Sequence, residues 1–580
     1  MTRSVTGSAP AFVIEKDVGI SVNDGLVLRA NVYRPAADGR FPAVMAMGIY
    51  GKDVHFADAF TPQWNVLEQR HPDLFRNGSS GQHAHWEMAD PERWVPDGYA
   101  LVNVDSRGSG KSPGFLDPFS PRETQDYYDA IEWAARRPWC NGKVGLLGVS
   151  YLAITQWQVA ALQPPHLAAM IPWEGASDLY RDWSRHGGIF SNSFIAGWWP
   201  RQVLSNQHGN GETHYRDRDT GERTTGVALS PALLQGNRAE HPHDIRNHPL
   251  NDAWYRDRSP DLRRIVTPFL SAANWGGPGV HLRGNIEAFT GAAASEKWLS
   301  VHVGTHFESF YLDDYVAMQK RFFAHYLKDD DNGWDKEPPV RLEIRWPDRV
   351  VVRAENEWPL AGTRWTKLYL DAAGSALVLS PPAAGTVGYE ALGDGVSFMM
   401  PPASSPLEIT GPIALRLWMS SSTADADIFA VLRAFAPNGE EIIFTGAHEP
   451  TPVARGWLRA SHRARDAARS TPWRPFHRHD VVEPLSPGEV YPLDIEIWPT
   501  SLVLPPRYRL ALTLKGCDFL VAGAGRIQHN DPVDRDPSIF GGRHTIHAGG
   551  ERASYLLLPI IPDDRDTEQG KTNGKHQDRR

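Results

Sequence analysis

The chain has 580 residues, of which 41% are apolar and 22% are charged, a composition typical of a globular protein with a large core. This composition excludes disorder for the bulk of the chain. The 60 lysines and arginines and the 69 aspartates and glutamates give a formal net charge of −9. No basic run forms the positive surface that a nucleic acid requires, so we expect no nucleic-acid partner.

The two cysteines, Cys140 and Cys517, match neither a disulfide framework nor the paired spacing of a thiolate metal site. No stretch approaches the roughly 18 apolar residues that a membrane span needs, and the N-terminus lacks the apolar core of a signal peptide. We therefore predict a cytoplasmic protein that does not enter a membrane. The sequence leaves open whether the chain forms a homo-oligomer.

The first third of the chain predicts strands and then an alternation of strands and helices. Asn23-Asp24-Gly25 between apolar runs indicates a hairpin, because these residues tolerate positive φ. Short apolar runs are typical of buried parallel strands, and apolar residues three or four apart indicate helices. In chain order the predictions are strands at 12–14, 19–22, 27–33, 43–47 and 99–104, a helix at 126–137, a strand at 144–149, a helix at 154–162 and a strand at 167–172. This order predicts an α/β domain.

The alternation stops at residue 179 and later gives way to a different pattern. Residues 179–263 are rich in Trp, His and Arg and predict an inserted cap. The alternation returns with a strand at 268–272, a helix at 283–290, a strand at 298–303 and a helix at 315–327. Beyond residue 333, Pro, Gly and Thr separate short runs of period two, which indicate an all-β sandwich. The predicted units are a first core part at 1–178, the cap at 179–263, a second core part at 264–337, the sandwich at 338–562 and a disordered tail at 563–580.

A buried strand meets a helix at Ser150. A nucleophile elbow needs small residues around its serine, because the turn is strained and the strand and helix lie close together. Gly148 and Ala153 meet this need, but Leu152 occupies the second glycine position of the G-x-S-x-G pattern. The alternative is a serine that only caps the helix.

The chain resembles the family of cocaine esterase, X-Pro dipeptidyl peptidase and α-amino acid ester hydrolases over nearly all of its folded part. The segments that carry the resemblance are Asp105 to Gly114 (DSRGSGKSPG), Gly148 to Tyr151 (GVSY), Ser177 to Arg181 (SDLYR) and the β-rich C-terminal part. The resemblance implies an α/β-hydrolase domain with an inserted helical cap, followed by an all-β jelly-roll sandwich. It also implies a serine hydrolase mechanism that needs no cofactor.

The resemblance assigns roles to several residues. Ser150 is the expected nucleophile, and the Tyr50 hydroxyl and the Tyr151 backbone N–H are the expected oxyanion hole. The alternative for Tyr50 is a tyrosine that packs at a strand end. The base is expected after the last core strand, where His306 lies in a loop position. His302 lies within the predicted strand, which is more typical of a core histidine.

The acid of the triad departs from the family pattern. The family places an aspartate two residues after a tryptophan, but here Trp275 is followed by Gly276 and Gly277. Some α/β-hydrolases carry the acid at the end of the strand that follows the nucleophile helix, and here that position is Glu174. We therefore predict Glu174 as the acid. Asp178, Glu308 and the absence of any acid remain alternatives.

Aromatic residues near these positions predict a hydrophobic wall for the substrate, with packing inside the cap as the alternative. The predicted substrate-binding residues are Trp173, Phe190, Phe194, Trp198 and Trp275. The His-x-His pairs lack a third ligand on a regular element, so we predict no metal. We expect a serine esterase that acts on small-molecule esters or amides. The alternatives are an X-Pro-type peptidase or α-amino acid ester hydrolase, which would need carboxylates in the cap, and a catalytically silent relative that binds a ligand.

Overall fold

The computed structural model describes residues 2–4, 12–562 and 578–579, so most of the predicted tail lies outside the described residues. The strands are β1 (Thr2–Ser4), β2 (Phe12–Ser21), β3 (Val27–Pro35), β4 (Phe41–Gly48), β5 (Ala100–Asp105), β6 (Cys140–Val149), β7 (Leu167–Trp173), β8 (Arg185–His186), β9 (Ile189–Phe190), β10 (Phe269–Asn274), β11 (Lys297–His302), β12 (Val340–Arg345), β13 (Val350–Glu355), β14 (Arg364–Asp371), β15 (Ala376–Val378), β16 (Gly385–Glu390), β17 (Val396–Met399), β18 (Leu407–Ser421), β19 (Asp427–Phe435), β20 (Glu441–Ile442), β21 (Ala454–Arg459), β22 (Tyr491–Leu504), β23 (Arg509–Lys515), β24 (Arg543–Ala548), β25 (Tyr555–Ile561) and β26 (Asp578–Arg579). The α-helices are α1 (Phe56–Ala59), α2 (Thr61–Arg70), α3 (Pro91–Trp94), α4 (Pro121–Ala135), α5 (Tyr151–Ala160), α6 (Asn192–Trp198), α7 (Pro231–Gly236), α8 (His241–Asn247), α9 (Ala253–Arg256), α10 (Leu282–Gly291), α11 (Glu308–Tyr311), α12 (Asp313–Lys328) and α13 (Pro537–Phe540). Within the described residues, no helix is both long enough and apolar enough to cross a membrane.

The first sheet confirms the predicted α/β class. Its strand order is β1-β2-β3-β5-β4-β6-β7-β10-β11-β12-β13-β26, and the strands from β5 to β12 in this order pair in parallel. Buried side chains of α4 and α10 belong to one hydrophobic cluster, and those of α12 belong to another. Parallel strands covered by helices on both faces produce the near-continuous apolar runs seen in the sequence.

Helix α4 begins earlier than the apolar spacing predicts. The Ser120 side chain accepts a hydrogen bond from the backbone N–H of Glu123, and Pro121 occupies the first helical turn. The Glu123 carboxylate in turn accepts the backbone N–H of Phe119, the residue before the N-cap, at 2.8 Å. This is a variant of the capping box, in which side chains satisfy backbone N–H groups around the helix start. The start of the helix was therefore present in the sequence as a capping signal rather than as a periodicity.

The β-rich part of the chain forms a second sheet, in the order β16-β24-β18-β22-β21-β19-β23-β17-β15-β14-β25. Strand β25 pairs with both β14 and β18, so the sheet closes on itself around an apolar core. The prediction began the sandwich at residue 338, whereas β12 and β13 extend the first sheet. The apolar residues of β12 are buried, whereas the valines of β13 are only half-buried. Their short length made both strands indistinguishable from sandwich strands in the sequence.

Two contacts dock the sandwich onto the end of β10 and onto α10. The Gly276 carbonyl accepts a hydrogen bond of 2.7 Å from the backbone N–H of Ala447, and a Cβ at Gly276 would lie only 2.6 Å from the Cα of Gly446. The buried Arg283 guanidinium pairs with Asp182 of the cap at 2.8 Å and with Glu496 of β22 at 2.9 Å. The cap, the first sheet and the sandwich therefore meet beside the carboxyl end of β10.

We expect Gly276→Ala to lower the free energy of unfolding by about 1–3 kcal/mol, because the added methyl group must push the backbone of residues 445–447 away. Gly236→Ala is the matched control, since a Cβ at that helical position meets no atom within 4 Å. Chemical denaturation of both variants measures the difference. Equal stability of the two variants would contradict this close approach.

Candidate active site

Ser150 lies in a strained turn between β6 and α5. Its backbone has φ 59° and ψ −116°, values that a residue with a side chain rarely adopts. The Ser150 side chain makes no capping hydrogen bond to the helix. The geometry is that of a nucleophile elbow, and the alternative of a helix-capping serine does not describe it.

The departure from G-x-S-x-G is accommodated by glycines on the neighbouring strands. Leu152 stands at the second glycine position, and its side chain fills space beside two strands. A Cβ at Gly148 would lie 2.5 Å from the Cβ of Leu152, and one at Gly48 would lie 2.3 Å from its Cδ2. The elbow therefore keeps its close packing because glycine stands on the strands instead of on the helix.

Tyr50 and Tyr151 lie beside Ser150, with their ring centroids 5.7 Å apart. The Tyr50 hydroxyl accepts a hydrogen bond of 3.0 Å from the Trp198 indole N–H. Burial raises the pKa of Tyr50 well above its usual value, against the effect of hydrogen bonds with Trp198 and Ser150, so the hydroxyl keeps its proton. Tyr151 is the first residue of α5, where backbone N–H groups have no partner within the helix.

His306 lies between two buried carboxylates. Its Nδ1 donates to Glu174 Oε2 at 2.7 Å, and its Nε2 donates to Glu87 Oε1 at 3.0 Å. Burial alone lowers the pKa of His306, but the charges and hydrogen bonds of Glu174 and Glu87 outweigh it and raise the pKa to about 10. The imidazole therefore carries a proton on both nitrogens at neutral pH.

Glu174 occupies the end of β7, next to the end of β10. The Glu174 backbone N–H donates to the carbonyl of Ala272 at 2.7 Å, and its carboxylate also accepts from Asn274 Nδ2 at 3.1 Å. His302 is fully buried, with Nε2 3.4 Å from the same carboxylate. Gly277 lies one turn beyond β10 and supplies no side chain, so the carboxylate on His306 comes from the neighbouring strand.

A second imidazole approaches the serine. The Ser150 Oγ lies 3.4 Å from His281 Nε2, and among the described residues no hydrogen bond joins Ser150 to His306. The His281 and His306 rings are stacked at 4.7 Å with an angle of 6° between their planes. Burial lowers the pKa of His281 well below its usual value, and the neighbouring His306 and His448 lower it further. His281 is therefore a neutral imidazole, and no carboxylate of the described residues forms a hydrogen bond with it.

His281, His306 and His448 are the grouping within the described residues that could hold a metal ion, with nitrogens within 4.8 Å of one another. Metal binding by His306 would have to break one of its two carboxylate hydrogen bonds. The three rings therefore fit a metal poorly as they stand, and we derive no step through one.

Ser150 and His306 line a cavity of about 740 Å³. Its walls come from the first sheet and its loops, from the cap and from the sandwich. The apolar part of the lining includes Phe60, Val66, Trp86, Phe194, Trp198, Phe307 and Phe444. A largely apolar cavity of this volume is typical of a site for a small organic molecule.

The predicted substrate-binding residues divide into two groups. Phe194 and Trp198 line the cavity. Trp173, Phe190 and Trp275 do not, since all three are buried elsewhere: Trp173 stacks on His302 at 5.2 Å, the Arg185 guanidinium lies 5.1 Å from the Phe190 ring, and the Trp275 indole donates to the Glu343 carbonyl at 2.9 Å. Strand-end aromatic residues pack into the core here because strands and helices cover both of their faces.

The two alternative acids, Asp178 and Glu308, form hydrogen bonds and ion pairs with other residues. Asp178 pairs with Arg181 at 2.5 Å, and Glu308 accepts from Thr305 and pairs with Arg70 at 2.8 Å. Neither forms a hydrogen bond with His306.

Sequence reasoning missed Glu87, His281 and His448. Burial raises the pKa of the Glu87 carboxyl to about 7, and its backbone has φ 63°. Glu87 lies in the irregular segment before α3, and His448 lies in a loop of the sandwich. No local pattern marks Glu87 or His448, because the fold brings both residues to His306 from distant segments.

The family model of the X-Pro dipeptidyl-peptidase (S15 family) matches residues 24–308, and the model of the X-Pro dipeptidyl-peptidase C-terminal non-catalytic domain matches residues 332–557. Among curated proteins, a cocaine esterase of Rhodococcus sp. (strain MB1 Bresler) is 26% identical, with 95% of this chain and 99% of that protein covered. A putative serine esterase of Mycobacterium tuberculosis is 25% identical, with 86% of this chain and 90% of that protein covered.

Solved structures show the same architecture. A CocE/NonD family hydrolase from Staphylococcus aureus has a TM-score of 0.83 and 33% identity, with 97% of this chain and 96% of that chain covered. An α-amino acid ester hydrolase has a TM-score of 0.68 at 17% identity, with 96% and 98% covered, and it supports the fold.

We expect the His306 imidazole to titrate well above its ordinary pKa of about 6.5, near pH 10, in an NMR titration of the whole protein. A raised pKa means that the folded state binds this proton more tightly, so its contribution to stability is complete below pH 6.5 and is lost as the pH rises toward 10. Glu87→Gln removes one carboxylate and should lower the His306 pKa. Glu68→Gln removes a carboxylate on the exposed side of α2 and is the control, which should leave the His306 pKa unchanged. A His306 pKa at or below 6.5 in the unaltered protein would contradict the two-carboxylate arrangement.

Proposed function

This chain belongs to the CocE/NonD family of hydrolases, whose members are serine esterases and peptidases, and we propose that it is a serine esterase with Ser150, His306 and Glu174 as its catalytic triad. The observation that carries the assignment is the hydrogen bond of 2.7 Å between His306 Nδ1 and Glu174, in the cavity that Ser150 lines. In a triad the carboxylate fixes the orientation of the imidazole and stabilises the imidazolium that forms.

The proposed reaction proceeds through an acyl-enzyme. His306 acts in its neutral form: it first leaves its Nε2 proton on the Glu87 carboxylate, whose pKa burial raises to about 7. Its Nε2 then turns to the Ser150 hydroxyl while Nδ1 keeps its bond to Glu174. Ser150 Oγ attacks the ester carbonyl as His306 takes its proton, and His306 then returns that proton to the leaving alcohol. A water molecule, activated in the same way, hydrolyses the acyl-enzyme and regenerates the serine.

The negative charge on the carbonyl oxygen requires donors that are already in position. We assign this role to the Tyr50 hydroxyl and the Tyr151 backbone N–H. The retained proton on Tyr50 and the orientation of its hydroxyl by Trp198 support the assignment. Donors fixed in a buried site stabilise this charge without reorganising, which is commonly the largest contribution to catalysis.

The cap part of the cavity lining favours small-molecule esters over substrates with a free amine. The two carboxylates in the rest of the lining are already engaged, Glu87 with His306 and Glu449 with Arg455 and the backbone at residues 525–526. Cap residues in the lining include Phe194, Gly197, Trp198, Arg201 and Gln202, and none of the lining residues from the described cap carries a carboxylate. A peptidase or an α-amino acid ester hydrolase would need such a group to bind the substrate ammonium. Amide substrates and a cytoplasmic location stay predictions from the sequence, which leaves the oligomeric state open.

We expect a fluorophosphonate probe to label the purified protein at Ser150, as mapped by mass spectrometry. Ser150→Ala should abolish both labelling and ester hydrolysis, and His306→Ala should slow both by about 1,000-fold or more, because the serine loses its base. His243→Ala is the matched control, since this cap histidine is exposed and lies outside the cavity.

Unchanged ester turnover in Ser150→Ala would contradict the proposed nucleophile. Loss of labelling in His281→Asn, with full labelling in His306→Ala, would assign the base to His281 instead.

We expect Glu174→Gln to lower kcat by at least about 100-fold with the fold intact. An amide carries no negative charge to stabilise the His306 imidazolium, and it does not hold the imidazole in the required orientation. Asp178→Asn and Glu308→Gln remove the alternative carboxylates and should leave kcat within a few-fold of normal. Steady-state kinetics with a 4-nitrophenyl ester, together with circular dichroism of each variant, measure these effects. Near-normal kcat in Glu174→Gln would remove Glu174 from the triad.

A further inference from the structure

Two arginines without carboxylate partners lie together in the catalytic cavity. Arg201 comes from the cap and Arg526 comes from the segment between β23 and β24, and both contribute to the lining. Arg201 Nε donates to the carbonyl of Gly197 at 3.0 Å. Within residues 12–562, neither guanidinium has a carboxylate at ion-pair distance, although the chain carries nine more acidic than basic groups.

The segment that carries Arg526 is fixed in position by Glu449. The Glu449 carboxylate accepts the backbone N–H groups of Gly525 and Arg526, both at 2.7 Å, and pairs with Arg455 at 3.2 Å. Glu449 therefore holds the backbone at Arg526 without forming an ion pair with its guanidinium. An ordered backbone limits the conformational entropy that the Arg526 side chain loses on binding a ligand.

The two guanidinium groups are close enough to affect each other. Burial lowers the pKa of Arg526, and the positive charge of Arg201 lowers it further. The Glu449 carboxylate acts in the opposite direction and offsets part of this effect without forming an ion pair with Arg526. Like charges that face a shared cavity are unfavourable, and an anion placed between them removes the repulsion.

The cavity is also polarised along its depth. Its floor is buried and holds Ser150, His306 and the Glu87 carboxylate, whereas Arg201 and Arg526 are exposed at its mouth. The two carboxylates that bind His306, Glu87 and Glu174, outnumber its single positive charge. A negative group on a substrate is therefore repelled by the floor and attracted by the mouth. This polarity places an anionic end near the arginines and leaves the uncharged ester carbonyl free to reach Ser150.

We propose that Arg201 and Arg526 form a subsite for a carboxylate, so that the preferred substrates are esters that carry a carboxylate at the end away from the scissile bond. The subsite rests on the proposed esterase function for its role in turnover. A guanidinium presents paired N–H groups that match the two oxygens of a carboxylate, which favours arginine for this recognition.

The kinetic test compares two substrates of the same shape, mono-4-nitrophenyl glutarate and its neutral isostere 4-nitrophenyl 5-methylhexanoate. We expect the unaltered protein to prefer the anionic ester by about 10-fold or more in kcat/KM, mainly through a lower KM, and to lose this preference at high salt. Arg201→Gln and Arg526→Gln should each lower the ratio of the two kcat/KM values by about 10- to 100-fold. Arg218→Gln, which removes an exposed cap arginine paired with Asp58, should leave the ratio unchanged.

A binding measurement separates this subsite from catalysis. Monomethyl glutarate should bind to the Ser150→Ala protein in calorimetry, and adding Arg201→Gln and Arg526→Gln should weaken binding by at least about 10-fold. Hydrolysis of both esters with equal kcat/KM, in the unaltered protein and in both arginine variants, would overturn the subsite and leave the esterase proposal intact. Binding of monomethyl glutarate that depends on the arginines, without labelling of Ser150, would overturn the esterase proposal and keep the subsite.

Discussion

The candidate site depends on the hydrogen bond between Glu174 and His306. A carboxylate must face Nδ1 of the imidazole, and in this chain Gly277 cannot supply it. The end of β7 lies next to the end of β10 in the sheet, and the hydrogen bond from the Glu174 N–H to Ala272 ties the two strand ends together. Parallel strands bring their carboxyl ends to one edge, so an acid on one strand can replace an acid on the next without moving the imidazole.

The sandwich takes part in forming the site as well as in stabilising the chain. Its loop around Gly446 approaches Gly276, and the carbonyl of Ala447 accepts the backbone N–H of His306 at 3.1 Å. The next residue, His448, places its ring 4.7 Å from that of His306. The position of the candidate base is therefore fixed from both sides, by a strand end of the first sheet and by a loop of the second.

Charge is distributed unevenly around the cavity. Two carboxylates form hydrogen bonds with His306 at the buried end, and two arginines that form no ion pair within residues 12–562 lie at the open end. In a largely apolar and partly buried space these charges are weakly screened, so they act over a longer range than on an open surface. The arrangement orients a substrate through its charge as well as through its shape.

The sequence by itself determined the features that depend on neighbouring residues. The elbow at Ser150, the helix after it and the alternation of buried strands and helices arise from local spacing and local steric demands, and they were predicted correctly. Glu174 was predicted because some α/β-hydrolases carry the acid at the end of the strand after the nucleophile helix, and the apolar run located the end of that strand in this chain. The contacts of His306 with Glu87 and with the loop at Ala447, the approach of His281 to Ser150, and the convergence of Arg201 and Arg526 were decided only by the tertiary structure. These residues lie far apart along the chain and meet because the strand order, the cap and the docked sandwich bring them together, and local sequence patterns carry no information about such distances.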